Sequence, residues 1–150
     1  MFDTVVIATD GSESAERSIT VALDLATQFD ASVHALYVVD TGDIDGSPES
    51  VRDEMETALT EAGEEALAAI EEQSDREVTT AVREGQPTAE ICKYVGEVDA
   101  DVLATGTRGR HGEHSFLLGS VAEAVVRRCP VPVLTVRQLD ASEEPAPEAR

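Results

Sequence analysis

Residues 104–126 read ATGTRGRHGEHSFLLGSVAEAVV. The stretch leaves an apolar run at Thr105, passes through glycines and enters a helical pattern at Ser120. It contains Gly106-x-x-Gly109, then nine residues, then Gly119-Ser120. Glycines at the end of a parallel strand let backbone N–H groups approach an anion closely. A helix that starts at Gly119-Ser120 aims free N–H groups and the positive end of its dipole at the same place. In physical terms this is a phosphate cradle. It is neither the Walker loop GxxxxGK[ST] nor GxGxxG, so neither of those mechanisms transfers. Ser120-x-x-Glu123 also reads as a capping box, and strand-end glycines often only turn the chain, so spacing alone leaves both readings open.

A strand that feeds a helix in this way is half of a βαβ unit, and the alternation recurs along the chain. Runs of β type at 4–9, 32–39, 77–83, 101–105 and 132–136 are separated by helical stretches. Most are apolar on successive residues (VVIA, VPVL), as in parallel strands covered on both faces; EVTTAVRE, the third, is more polar and fits an edge. The fold predicted is α/β, a doubly wound, mostly parallel sheet with helices on both faces. Ile19, Leu23 and Ala26 mark a first amphipathic helix over 14–28. Val51, Met55, Leu59, Ala62, Ala66 and Ile70 form the stripe of a second, whose glutamates make a solvated face. A third helix starts near Pro87, where proline suits a first turn, and a fourth runs from about Ser120 to before Pro130. TGDIDGSPES (41–50) reads as a loop. The acidic, proline-containing tail 139–150 reads as disordered after one domain spanning 1–138.

Composition narrows the function. Thirty-one acidic residues against 11 basic give a formal net charge of −20. Such a chain lacks the basic patch that would release counterions from DNA or RNA, so no nucleic-acid partner is expected. The charge reads as adaptation to high salt, a halophilic trait; an acidic protein from dilute conditions is the alternative. No apolar run is long enough to span a bilayer and no signal peptide precedes the first strand, so a cytoplasmic location without membrane contact is expected. Cys92 and Cys129 stand alone, without a CxxC or a His neighbour at metal spacing, so they offer neither a disulfide framework nor a zinc site and read as buried small apolar residues.

A second feature supports the cradle. Thr9-Asp10-Gly11-Ser12 follows the run VVIA and places Asp10 at the carboxyl end of a central strand, the edge at which open α/β sheets bind ligands. With the opening VVIATDGSESAERSITVALDLA, the segments HALYVVD and REGQPTAEI, and the closing CPVPVLTVR, the chain resembles the universal stress protein family over about residues 3–138. The G-x-x-G, nine residues, G-[ST] motif resembles the nucleotide signature of that family's ATP-binding branch. The resemblance implies five parallel strands in the order 3-2-1-4-5. It implies Thr9 and Asp10 on the ribose and metal side, and the backbone of Val38 at the adenine edge. Gly106 and Gly109 would approach ribose and phosphates, while Gly119, Ser120 and Val121 supply the anion-binding helix start. It further implies a homodimer through the last strand, Val133 to Val136. Where many relatives carry more basic residues between the glycines, this chain has His111, Glu113 and His114, which weakens the expected hold on phosphate.

Arg108 and Arg110 are the cations nearest the cradle; one of them meets the polyphosphate, or both are solvated loop residues. His111, Glu113 and His114 read as solvated rather than as a metal site. Magnesium or manganese is expected to ride on the nucleotide phosphates. No nucleophile, base and orienting partner are assembled, so no catalytic residue is assigned. The leading expectation is an ATP-binding stress-response regulator with slow or no hydrolysis. A non-nucleotide dimeric scaffold and a weak ATPase are the alternatives, and ATP is not separated from AMP or a cyclic nucleotide.

Overall fold

The computed structural model describes residues 2–107 and 119–138. Its centre is β1 (Thr4–Thr9), where Val5, Val6 and Ile7 have no exposed surface, as a strand covered on both faces requires. β1 pairs in parallel with β2 (Ser32–Asp40) on one side and β4 (Val102–Gly106) on the other. β3 (Val78–Gly85) adds outside β2 and β5 (Val133–Val136) outside β4, all parallel. The order β3-β2-β1-β4-β5 is the one the resemblance implied. β3 is an edge strand, which accounts for its polar sequence.

Handedness distributes the helices. Right-handed crossovers that step from β1 toward β3 put their helices on one face, and those that step back toward β5 put theirs on the other. Accordingly Ile19 and Leu23 of α1 (Glu16–Phe29) and Leu67 and Ile70 of α3 (Arg52–Gln73) pack with Val5 and Ile7. Ile91, Tyr94 and Val95 of α4 (Pro87–Glu97) and Val125 of α5 (Ser120–Arg128) pack with Val6 and Ala8. Successive β1 residues thus feed two separate cores, the period-2 alternation of a strand.

Local chemistry sets the element ends. α1 stops at Asp30 in the left-handed region (φ 54°), with the Ala31 N–H donating to the Ala26 carbonyl at 2.8 Å. A second Asp-Ala pair ends α4 in the same way, with Asp99 at φ 52° and Ala100 N–H to the Val95 carbonyl at 3.0 Å. Aspartate tolerates this conformation because its short polar side chain bonds locally. At the start of α4 the Gln86 side chain accepts the Ala89 N–H at 2.7 Å, and Pro87 occupies the first turn. Asp101 clasps the two central strands: its Oδ2 accepts the N–H groups of Asp3 (2.8 Å) and Thr4 (2.9 Å).

Three expectations need correction. The 41–50 stretch is not all loop. It begins with α2 (Thr41–Asp45), capped by the Asp40 carboxylate, which accepts the Gly42 N–H at 2.9 Å, and a 3-10 turn follows at Glu49–Val51. Ile44, buried in the core, supplies the apolar anchor. Ser120 does not cap α5: the N-cap is Gly119, and Ser120 is the first helical residue. The capping-box reading therefore fails, and Glu123 instead pairs with Arg127 at 2.9 Å. Cys92 and Cys129 are not fully buried: both are half-buried, and their sulfurs, unmarked by any sequence motif, lie 2.6 Å from each other. The 139–150 tail lies outside the described residues. Among those described, no helix is long and apolar enough to cross a membrane.

Candidate functional site

The strand order reverses between β1 and β4, because α1 leaves β1 toward β2 while β4 lies on β1's other side. Helices on opposite faces leave a crevice outside the carboxyl ends at this point. Three segments converge there: the β1–α1 turn, the exit of β4 at Gly106 and Thr107, and the start of α5.

In the turn, the buried Thr9 accepts the Gly11 N–H on Oγ1 at 3.1 Å. Asp10 accepts the Ser12 N–H at 2.9 Å and the Ser12 hydroxyl at 2.5 Å, both on Oδ1, which fixes its carboxylate. Gly11 has φ 78°, a region that other residues enter only with strain. Register puts Thr9 beside Tyr37, so Val38 is the β2 residue that follows this pair toward the carboxyl edge.

Gly106 is buried, and the Gly119 N–H donates to the Thr107 carbonyl at 2.6 Å. That bond closes the chain between β4 and α5 and brings the helix start to the strand end. The first intrahelical bond of α5 runs from the Glu123 N–H to the Gly119 carbonyl, at 2.9 Å. The N–H groups of Ser120, Val121 and Ala122 precede it, no side chain among the described residues caps them, and they carry the positive end of the helix. Of the expected site residues, the structure thus gathers Thr9, Asp10, Gly106, Gly119, Ser120 and Val121 at one edge, with Val38 at the neighbouring strand end. Arg108, Gly109 and Arg110 lie outside the described residues, as do His111, Glu113 and His114.

Beside the turn, on the α1 and α3 face, is a pocket of 450 Å³ lined by Asp10, Gly11, Ser12, Tyr37, Ala62, Glu65 and Ala66. A second, of 290 Å³, is bounded by Thr9, Glu16, Thr20, Ala66 and Gln73 among others. Their charged linings are the carboxylates of Asp10, Glu65 and Glu16, which disfavour a polyanion on that side. The site is therefore polarised: an anion-attracting helix start at β4, and an acidic, partly apolar hollow at β1. The sequence placed Ala62 and Ala66 in the apolar stripe of the second helix but carried no sign that they and Tyr37 line a hollow beside the β1 turn. The small-residue cluster inside that helix becomes legible only once a partner for it is known.

A doubly wound α/β domain with the β1 turn, the end of β4 and the start of α5 meeting at its switch point is the class that this geometry defines. Residues 1–137 match the model of the universal stress protein family. The chain is 35% identical over 142 residues to the universal stress protein MJ0531 of Methanocaldococcus jannaschii, covering 92% of this chain and 84% of that protein. It belongs to the universal stress protein family. Among solved structures, the protein MJ0577 superposes with a TM-score of 0.82 at 27% identity, over 94% of this chain and 99% of the other. A universal stress protein crystallised in complex with cAMP does so with a TM-score of 0.66 at 26% identity, over 91% and 97%.

Proposed function

We propose that this chain binds an adenine nucleotide, ATP first among them, across the switch-point crevice and serves as a nucleotide-dependent regulator in the stress response. The observation that carries the reading is the start of α5, whose N–H groups at Ser120 and Val121, uncapped among the described residues, are held against the end of β4 by the Gly119–Thr107 bond. The family relative crystallised with cAMP supports an adenine ligand on this fold. In the proposed pose the phosphates lie at Gly106, Gly109 and 119–121, met by Arg108 or Arg110. Asp10 and Thr9 face the ribose, and the Val38 backbone faces the adenine edge. Magnesium or manganese on the phosphates would offset part of their charge, and the fixed Asp10 carboxylate suits that neighbourhood.

Binding rather than turnover is proposed. His34, in register with Val6 well short of the carboxyl edge, is engaged with the Tyr94 hydroxyl at 2.9 Å. We further propose a cytoplasmic homodimer joined through β5, the second sheet edge, whose Val133, Leu134 and Thr135 are only half-buried. Mass spectrometry of nucleotide released from freshly purified protein tests the ligand directly. Calorimetry should give a micromolar ATP affinity, about −8 kcal/mol, lost in a folded Gly109→Val variant. Unchanged affinity in that variant sinks the cradle.

A further inference from the structure

The two cysteines of this chain are 37 residues apart in sequence and adjacent in space. Cys92 stands on α4 and Cys129 is the C-cap of α5, on the face opposite the α1 and α3 pockets. Their sulfurs lie 2.6 Å apart, inside van der Waals contact. Both backbones are held independently of this contact. Cys92 sits within a helical turn, and the Cys129 N–H donates to the Val125 carbonyl at 2.9 Å. The pair is half-buried rather than sealed, so a small oxidant reaches it.

We propose that Cys92 and Cys129 form a two-thiol redox site that hydrogen peroxide converts to an intramolecular disulfide linking α4 to the end of α5. Roles differ between the two sulfurs. Burial first, then the hydrogen bond with Cys92, pushes the Cys129 thiol up to about 12, so it stays protonated. With Cys129 held as the thiol, the attack on peroxide falls to Cys92, the other sulfur of the contact. The Cys92 sulfur takes one oxygen of the peroxide as the O–O bond breaks, the hydroxide that leaves takes up the Cys92 thiol proton as the first water, and Cys92 becomes a sulfenic acid. The Cys129 sulfur then attacks the Cys92 sulfur and releases hydroxide, which takes up the Cys129 proton as water. Two thiols and one peroxide give one disulfide and two waters. Dithiol reductants reverse the step by exchange.

The test uses the whole folded protein. After equimolar peroxide, it is denatured, alkylated with N-ethylmaleimide, and mapped by trypsin and mass spectrometry. The expected result is loss of two hydrogens, no added alkyl group, and a joined pair of peptides, Glu84–Lys93 with Cys129–Arg137. Dithiothreitol should restore both thiols. In Cys129→Ser, Cys92 should accumulate as a sulfenic acid trapped by dimedone; in Cys92→Ser, Cys129 should remain a thiol. Two alkylated cysteines after peroxide would overturn the proposal. So would a disulfide between two chains, or a sulfinic acid on one cysteine with the other free.

Discussion

Gly63 occupies the interior of α3, where alanine would favour the helix by about 1 kcal/mol. The reason lies on β2: a Cβ at Gly63 would collide with the ring of Tyr37, among the largest fully buried side chains. Gly63→Ala should therefore destabilise the fold by about 1–3 kcal/mol, as overpacking does, despite the gain in propensity. Urea denaturation measures it, and a more stable variant would show that Tyr37 swings aside freely. His34 makes a second prediction at this scale. Burial lowers its pKa from 6.5, so the folded state holds the neutral ring, whose Nδ1 faces the Tyr94 hydroxyl. Because the folded value is depressed, the contribution is fully present above 6.5 and is lost as pH falls through the lowered value. The stability of wild type minus that of His34→Gln should decline over that window. A flat difference would show that the ring titrates as in an unfolded chain. Neither feature was legible beforehand, since each depends on which side chains meet across a helix and a strand.

At the scale of elements, strands and long helices were readable because each carries its own period. Continuous apolar runs marked β1, β4 and β5, and the polar third run marked an edge. The boundaries that failed depend on a single residue's conformation. At 41–50 the Gly, Asp, Ser and Pro content reads as turn chemistry, yet Asp40 caps a short helix there and Ile44 anchors it. At α5 the capping-box spacing pointed to Ser120, whereas Gly119, extended at φ −66° and ψ 161°, is the cap. Ser120→Ala should therefore change stability by less than about 0.5 kcal/mol, as at ordinary surface positions. Loss of about 1 kcal/mol in a thermal melt would restore the serine cap. The contact of α3 with β3 supplies another expectation. Glu56 has its pKa raised by a hydrogen bond with Glu84, then by repulsion from the same carboxylate. A raised folded value means that the pair stabilises at low pH and that this is lost as pH rises through it. At neutral pH Glu56→Gln should raise the melting temperature, and less so in high salt; no gain at low salt would remove the pair from the account.

The whole molecule carries a net charge of −20, and among the described residues the ion pairs Arg76–Asp30, Arg83–Glu97 and Arg127–Glu123 join arginines to exposed or half-exposed acids. Such pairs contribute little singly, so repulsion among the remaining carboxylates is the larger global effect. Screening shortens from about 10 Å at 0.1 M salt to about 3 Å at 1 M. The urea midpoint should rise across that range in sodium chloride, and a flat or falling midpoint would refute the high-salt reading of the composition. Strand order, by contrast, was legible from the sequence only through family resemblance, because nothing local says which strands are neighbours. That order also governs when the protein can become itself. β1 leaves the ribosome first among the strands, yet the Asp101 carboxylate that clasps Thr4 is 97 residues downstream. At about 5–20 residues per second, translation leaves the central strand without its second neighbour for about 5–20 s. During that interval an apolar strand edge is open to other chains, so a newborn molecule depends on whatever shelters nascent polypeptides far more than the finished one does.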